Sequence, residues 1–294
     1  MTANQASGLE SARSSRVRLA ELAPRKERSA PVLGIVSGKG GVGKSTLAIN
    51  LATAASATGA GVLLIDGDLG LANADLLMGM IPSSDLEDWN EGRVRLSDAV
   101  CRGPSGLKVV VSGSGRRVAE RIRASVARRD VGELRDLIDA QDLTLMDLGA
   151  GIGDRVLGLA TACDLVWLVV TPEPTSLADA YATAKKLWQA SPDLRLELVI
   201  NRVRDTATGQ RTHQALARLV ERFLSRSLPL RAVLPEDAAM LRSVARQSPL
   251  VVEEPGSPAA RRLRLLAESL LEERAVDASS YGGASARSSA SLAT

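Results

Sequence analysis

Residues Gly38-Lys39-Gly40-Gly41-Val42-Gly43-Lys44-Ser45-Thr46 join an apolar run, Val32-Leu33-Gly34-Ile35-Val36, to a stretch that is apolar at Leu47, Ile49, Leu51, Ala52 and Ala55. No other feature constrains the fold of this chain as tightly. The first run has the length and composition of a buried parallel strand, and the second, over 46–58, has helical spacing. The join fits G-x-x-x-x-G-K-[ST], a loop whose glycines let backbone N–H groups close around phosphates at a helix N-terminus. In that pattern Lys44 reaches the β- and γ-phosphates of a nucleotide and the Ser45 hydroxyl ligates Mg²⁺. A strand feeding a helix through such a loop belongs to a βαβ unit with a right-handed crossover.

The rest of the chain extends that unit. Further apolar runs at 61–66, 107–112, 143–148, 164–171, 195–201 and 229–235, with a short one near 249–252, alternate with helical patterns. The expected architecture is α/β, a mostly parallel doubly wound sheet in one P-loop NTPase domain over 31–274. Apolar residues at 45% support a real core, and aromatics at 2% mean that it is built of Leu, Val, Ile and Ala. Residues 1–30, with six Lys/Arg against three Glu, read as a flexible basic arm, and the Ser/Ala/Gly-rich 275–294 as a disordered tail. A net charge of +3 does not demand nucleic acid. Cys101 and Cys163 have no metal or disulfide spacing, and no run reaches the roughly 18 apolar residues of a membrane span. A soluble cytoplasmic chain is expected.

Two acidic strand ends complete a nucleotide site. Leu63-Leu64-Ile65-Asp66-Gly67-Asp68 delivers two acids one residue apart, so strand period puts both on one side at the edge where open α/β sheets bind ligands. Leu143-Thr144-Leu145-Met146-Asp147 delivers a third into Leu148-Gly149-Ala150-Gly151. Magnesium keeps several waters and needs one or two carboxylates beside the phosphates. Asp147 therefore suits a water-mediated hold on Mg²⁺, Asp66 supports that shell, and Asp68 orients or deprotonates the attacking water.

The second lysine of the loop narrows the class. GKGGVGKS, with Lys39, resembles the deviant Walker A motif of the MinD/ParA ATPases. The resemblance implies a homodimer formed face to face around two ATP molecules, with Lys39 reaching the partner's nucleotide and Lys39, Lys44 and Asp68 as the catalytic groups. It also implies that Gly38, Lys39, Gly40, Gly41, Val42, Gly43, Lys44, Ser45 and Thr46 bind the nucleotide, and that Ser45, Asp66 and Asp147 form the metal set. Leu64 to Gly79 looks like the switch region of MinD-like proteins. Asp147-Leu148-Gly149-Ala150-Gly151-Ile152 and Thr171-Pro172-Glu173-Pro174-Thr175-Ser176 are similar to FlhG-type flagellar-number regulators, also called FleN or YlxH. Asn201-Arg202 and Pro235-Glu236-Asp237 resemble that family's purine-contacting segments. Near the N-terminus, Asn4-Gln5-Ala6-Ser7-Gly8-Leu9-Glu10 keeps Gln5, Ala6 and Leu9 of a segment that docks on the signal-recognition-type GTPase FlhF, while Asn4 and Glu10 depart from it.

The resemblance implies a slow, Mg-dependent ATPase switch controlling flagellar number or placement. Its implied partners are an FlhF-like GTPase and flagellar basal-body or transcription-regulator proteins, met transiently at the cell pole or membrane. Alternatives are a ParA/MinD-type ATPase for DNA partition or division-site positioning, and a non-hydrolysing module that sequesters a transcription regulator. Direct membrane contact is not expected: the stripe Ala259, Leu263, Leu266, Leu270 and Leu271 reads as a helix closing the domain, and the tail beyond it is too poor in apolar groups to anchor. Nucleic acid is not expected either, because the seven arginines over 116–135 alternate with acids as a solvated face does. His213, alone of its type, reads as a surface residue. Neither Leu148 to Gly153 nor any CxxC supplies an iron–sulfur ligand, which sets aside the redox branches of this fold.

Overall fold

The run before the phosphate loop becomes β1 (Val32–Ser37), buried over its whole length. In the computed structural model, which describes residues 31–68, 73–111, 116–127 and 132–285, seven more strands join it. They are β2 (Val62–Gly67), β3 (Val100–Arg102), β4 (Lys108–Val111), β5 (Leu143–Ala150), β6 (Leu165–Val170), β7 (Leu196–Val203) and β8 (Leu230–Pro235). Their order is β3-β4-β2-β5-β1-β6-β7-β8, and every pairing is parallel except β3 with β4.

The helices are α1 (Lys44–Ser56), α2 (Ala74–Leu77), α3 (Leu86–Asn90), α4 (Leu96–Ala99), α5 (Arg116–Val126), α6 (Glu133–Asp139), α7 (Asp154–Ala160), α8 (Pro174–Ala190), α9 (Thr206–Leu224), α10 (Ala238–Ala245), α11 (Leu250–Glu253) and α12 (Pro258–Ser285). Strand alternation divides the core in two. Leu33, Ile35, Leu64, Leu145 and Trp167 meet α1, α10, α11 and α12 on one face. Val32, Val36, Ile65, Met146 and Leu168 meet α3 to α9 on the other. On that second face Gly34 leaves the space into which Cys163 packs: a Cβ there would lie 2.9 Å from the Cys163 Sγ.

The doubly wound sheet matches the expectation, with three local differences. The apolar 249–252 is helical, because four apolar residues fit a strand or a buried helical turn equally well. Pro249 caps α11, and the Val251 N–H donates to Asn50 Oδ1 of α1 at 3.0 Å. Strand β3 was not expected, since three residues give no periodic signal. The helix α12 continues to Ser285, past the expected boundary at 274. An already nucleated helix adds residues at little cost.

The stripe of α12 behaves as a closing helix: Ala259, Leu263, Leu266 and Leu270 are buried, and the helix packs on α1 and on the edge strand β8. Among the described residues no helix is long and apolar enough to cross a membrane. The arginine-rich region also has structural partners. The Arg121 guanidinium lies 3.7 Å from the centre of the Trp89 ring, and Arg135 is buried in a pair with Asp139. The arm at 1–30 with its Gln5, Ala6 and Leu9, the switch residues 69–72, Arg128, Arg129 and Asp130, and the tail from 286 lie outside the described residues.

Candidate nucleotide site

The phosphate loop lies at the C-terminal edge of the central strands. Gly41 and Gly43 hold φ of 79° and 89°, a left-handed geometry that side chains other than glycine rarely adopt. Gly43 is also the cap of α1, so the loop ends where helix N–H groups are unpaired. Gly38 is needed for a different reason. A Cβ there would lie 2.4 Å from the Asp179 carbonyl carbon, so the loop rests directly on the backbone of α8. Thr46 closes the turn, its hydroxyl donating to the Gly43 carbonyl at 2.9 Å.

The two lysines of the loop go to opposite environments. Lys44 is buried, and its Nζ donates to Asp147 Oδ1 at 2.7 Å, with Asp68 Oδ2 at 3.6 Å and Ser45 Oγ at 3.4 Å. Lys39 is exposed, and its Nζ donates to Glu173 Oε2 at 2.9 Å and Thr175 Oγ1 at 3.2 Å, at the start of α8. Glu173 is held below the usual carboxylate range, first by that hydrogen bond and then by the charge of Lys39.

The acids sit side by side. Asp66 of β2 and Asp147 of β5 are cross-strand partners in parallel register. Burial raises the Asp66 carboxyl to about 6; the neighbouring Asp147 adds to the rise, and backbone N–H donors from Ala74, Asp68 and Asn73 oppose it. Those three N–H groups reach Asp66 at 3.0 Å each, so Asp66 anchors both ends of the segment that carries residues 69–72. Asp147 is also raised by burial, while the Lys44 ammonium pulls it back. Asp68 lies against Gly149, where a Cβ would come within 3.2 Å of its Oδ1.

A cleft of about 490 Å³ opens beside the loop, lined by Thr171, Glu173, Arg202, Arg204, Thr208 and Glu236 among others. Of the expected purine contacts, Arg202 and Glu236 face it, and Arg202 holds a left-handed φ of 57°. Asp237 does not line it: its two oxygens accept the N–H groups of Ala239 and Ala259 and so tie α10 to α12. Asn201 turns toward the phosphate loop, donating to the Val42 carbonyl at 2.8 Å. Sequence reasoning assigned no role to Glu173, Thr175 or Arg204. Their position just past strand ends β6 and β7 was the available signal.

A family model described as the CobQ/CobB/MinD/ParA nucleotide-binding domain matches residues 33–250. The chain belongs to this MinD/ParA family. Within the family, the antiactivator FleN of Pseudomonas aeruginosa is 34% identical over 81% of this chain and 85% of its own length. The flagellum site-determining protein YlxH of Helicobacter pylori is 31% identical over 64% of each chain. The structure of the septum site-determining protein MinD of Pyrococcus horikoshii, complexed with Mg-ADP, superimposes with a TM-score of 0.67 at 26% identity, covering 82% of this chain and 96% of that one. The FlhG-type resemblance read from the motifs thus agrees with the relatives, and the P-loop NTPase fold with the solved MinD structure.

Proposed function

We propose that this MinD/ParA-family protein is an ATP-dependent dimerisation switch that sets flagellar number or placement. The observation that carries the reading is the divergence of Lys39 and Lys44. One lysine is buried at the acid cluster, and the other is an exposed group held on α8, available to a second molecule. An ordinary P-loop needs only the first. A second cation from the facing subunit acts as an arginine finger does, stabilising charge as the γ-phosphoryl leaves.

The residues fit Mg-ATP. Gly43 and Gly41 hold the backbone open at positive φ, Lys44 lies where terminal phosphates would displace it from Asp147, Ser45 would ligate the metal, and Asp147 with Asp66 beside it would hold the metal through water. Among the described residues no group of three or more His, Cys, Asp or Glu is built to hold a metal by itself. That suits a magnesium ion completed by phosphate and water. Held by these residues, a magnesium ion would supply charge neutralisation at the phosphates. Asp66 accepts the N–H groups of Asp68, Asn73 and Ala74, and Asp68, partly exposed beside Lys44, orients the attacking water.

The flagellar role rests on FleN and YlxH as relatives, with an FlhF-like GTPase and basal-body or transcription-regulator proteins as partners and the cytoplasm as the working compartment. Trans action is tested by mixing Lys39→Ala and Lys44→Ala chains. At ATP concentrations that leave its own weakened site empty, the Lys44→Ala chain still presents its Lys39 to the filled site of its partner. Each parent should be nearly inactive and the mixture active. If crosslinked heterodimers form and turn over ATP no faster than the parents, trans action is wrong. Genome neighbourhood and turnover with added FlhF test the flagellar assignment separately.

A further inference from the structure

The geometry points to Asn201 as a positioning residue that fixes the peptide plane of the phosphate loop, a role distinct from reading the purine. It builds on the nucleotide-site reading above. The Asn201 Nδ2 donates to the Val42 carbonyl at 2.8 Å, from the end of β7 to a loop 159 residues earlier. It also lies so close to Gly43 that a Cβ there would meet it at 2.4 Å. Asn201 is thus packed on one peptide unit, that between Val42 and Gly43.

That peptide is the weak point of the loop. Its C=O and N–H point in opposite directions because the unit is planar and trans. With the Val42 carbonyl turned to Asn201, the Gly43 N–H points away from Asn201. N–H groups are what such a loop offers to phosphates. Glycine allows either sign of φ, so Gly43 at 89° resists a flip of this plane poorly. A flip exchanges a donor for a carbonyl oxygen, which repels phosphate. One amide hydrogen bond to Val42 opposes it.

Asn201 can do this because β7 is irregular where it ends. Its pairing with β8 shifts register between Ile200 and Val203, and Arg202 takes a left-handed φ of 57°. Arg202 turns to the cleft while its neighbour Asn201 meets the loop. The two halves of Asn201-Arg202 therefore serve the two ends of one nucleotide.

The test is Asn201→Ala in the full chain, with affinity read by competition against a fluorescent ATP analogue. The competitors are Mg-ATP and inorganic tripolyphosphate, which has no base or ribose. Loss of one net hydrogen bond predicts about a 5- to 10-fold weaker affinity, by the same factor for both competitors. Arg202→Ala should weaken ATP alone. In the nucleotide-free chain, Asn201→Ala should also speed amide exchange in the 38–43 loop, which loss of a base contact would leave unchanged. A loss confined to ATP, with loop exchange as in the parent, overturns the proposal. A parent chain that binds no ATP overturns the nucleotide-site reading instead, and loop exchange still decides the positioning role.

Discussion

Lys39 and Lys44 are five positions apart in one loop, and the two regions around them obey different physics. Around Lys44, low dielectric surrounds a cation and Asp147, with Asp66 in register on the next strand. There each charge depends on its neighbours, because an unpaired buried ion is costly. Around Lys39, water screens the pair with Glu173, and such exposed pairs contribute little to folding. One region therefore ties binding to stability, and the other leaves a cation detachable at small cost. A switch needs both: a site that holds its ligand and a group that moves without unfolding anything.

The largest expected effect breaks the outer region. Lys39→Ala should lower ATP turnover on the order of 10³-fold while monomeric nucleotide binding and thermal midpoint stay near those of the parent. Steady-state turnover and a melting curve measure both. A fall in melting temperature would make Lys39 structural and erase the contrast. Next comes the inner region. Lys44→Ala should weaken ATP binding by about 100-fold or more, the equivalent of ~3 kcal/mol of charge-assisted bonding, and calorimetric titration reads it. Unlike Lys39→Ala it should also destabilise the nucleotide-free chain, by about 3 kcal/mol, because Asp147 is left buried without its cation.

A smaller effect tests the acids without touching either lysine. The Asp66 carboxyl is raised to about 6 in the folded protein from its ordinary value of 3.8. The folded chain then binds a proton more tightly than the unfolded chain between those values, so stability falls as pH rises through them. For this single group the fall amounts to about 2 kcal/mol between pH 4 and pH 7. Urea unfolding of the nucleotide-free chain across that range should show the slope, and Asp66→Asn should flatten it. A parent whose stability rises over the same range would mean that Asp66 stays ionised on its three backbone donors. The smallest effect is at Asp68, exposed enough that Asp68→Ala should keep ATP binding within a few-fold and accumulate a dimer on size exclusion with Mg-ATP. A monomer there would move Asp68 into the inner, metal-holding region.

Most of the sheet was legible because its strands are buried on both faces and read as near-continuous apolar runs, as at Val32 to Val36 and Leu165 to Val170. Ambiguity between strand and helix was confined to short apolar pieces, of which 249–252 became helix α11 after Pro249. The phosphate loop and its acids were legible because glycine spacing and strand-end carboxylates are local signals. Asp237 and Asn201 were harder. Both are polar residues at strand ends, and whether such a group faces a ligand, caps a helix or ties a loop depends on what the fold brings beside it.

By itself the sequence determined the P-loop, the alternation of strand and helix, and the presence of three acids at strand ends. Those depend on contacts within a few residues or on periodicity along one element. Only the tertiary structure decided which cation meets which acid. Lys44 reaches Asp147 across 103 residues and Lys39 reaches Glu173 across 134. The partition follows from the parallel sheet, which sets β5 and β6 on either side of β1. The loop leaving β1 therefore faces a buried acid from one neighbour and an exposed acid from the other.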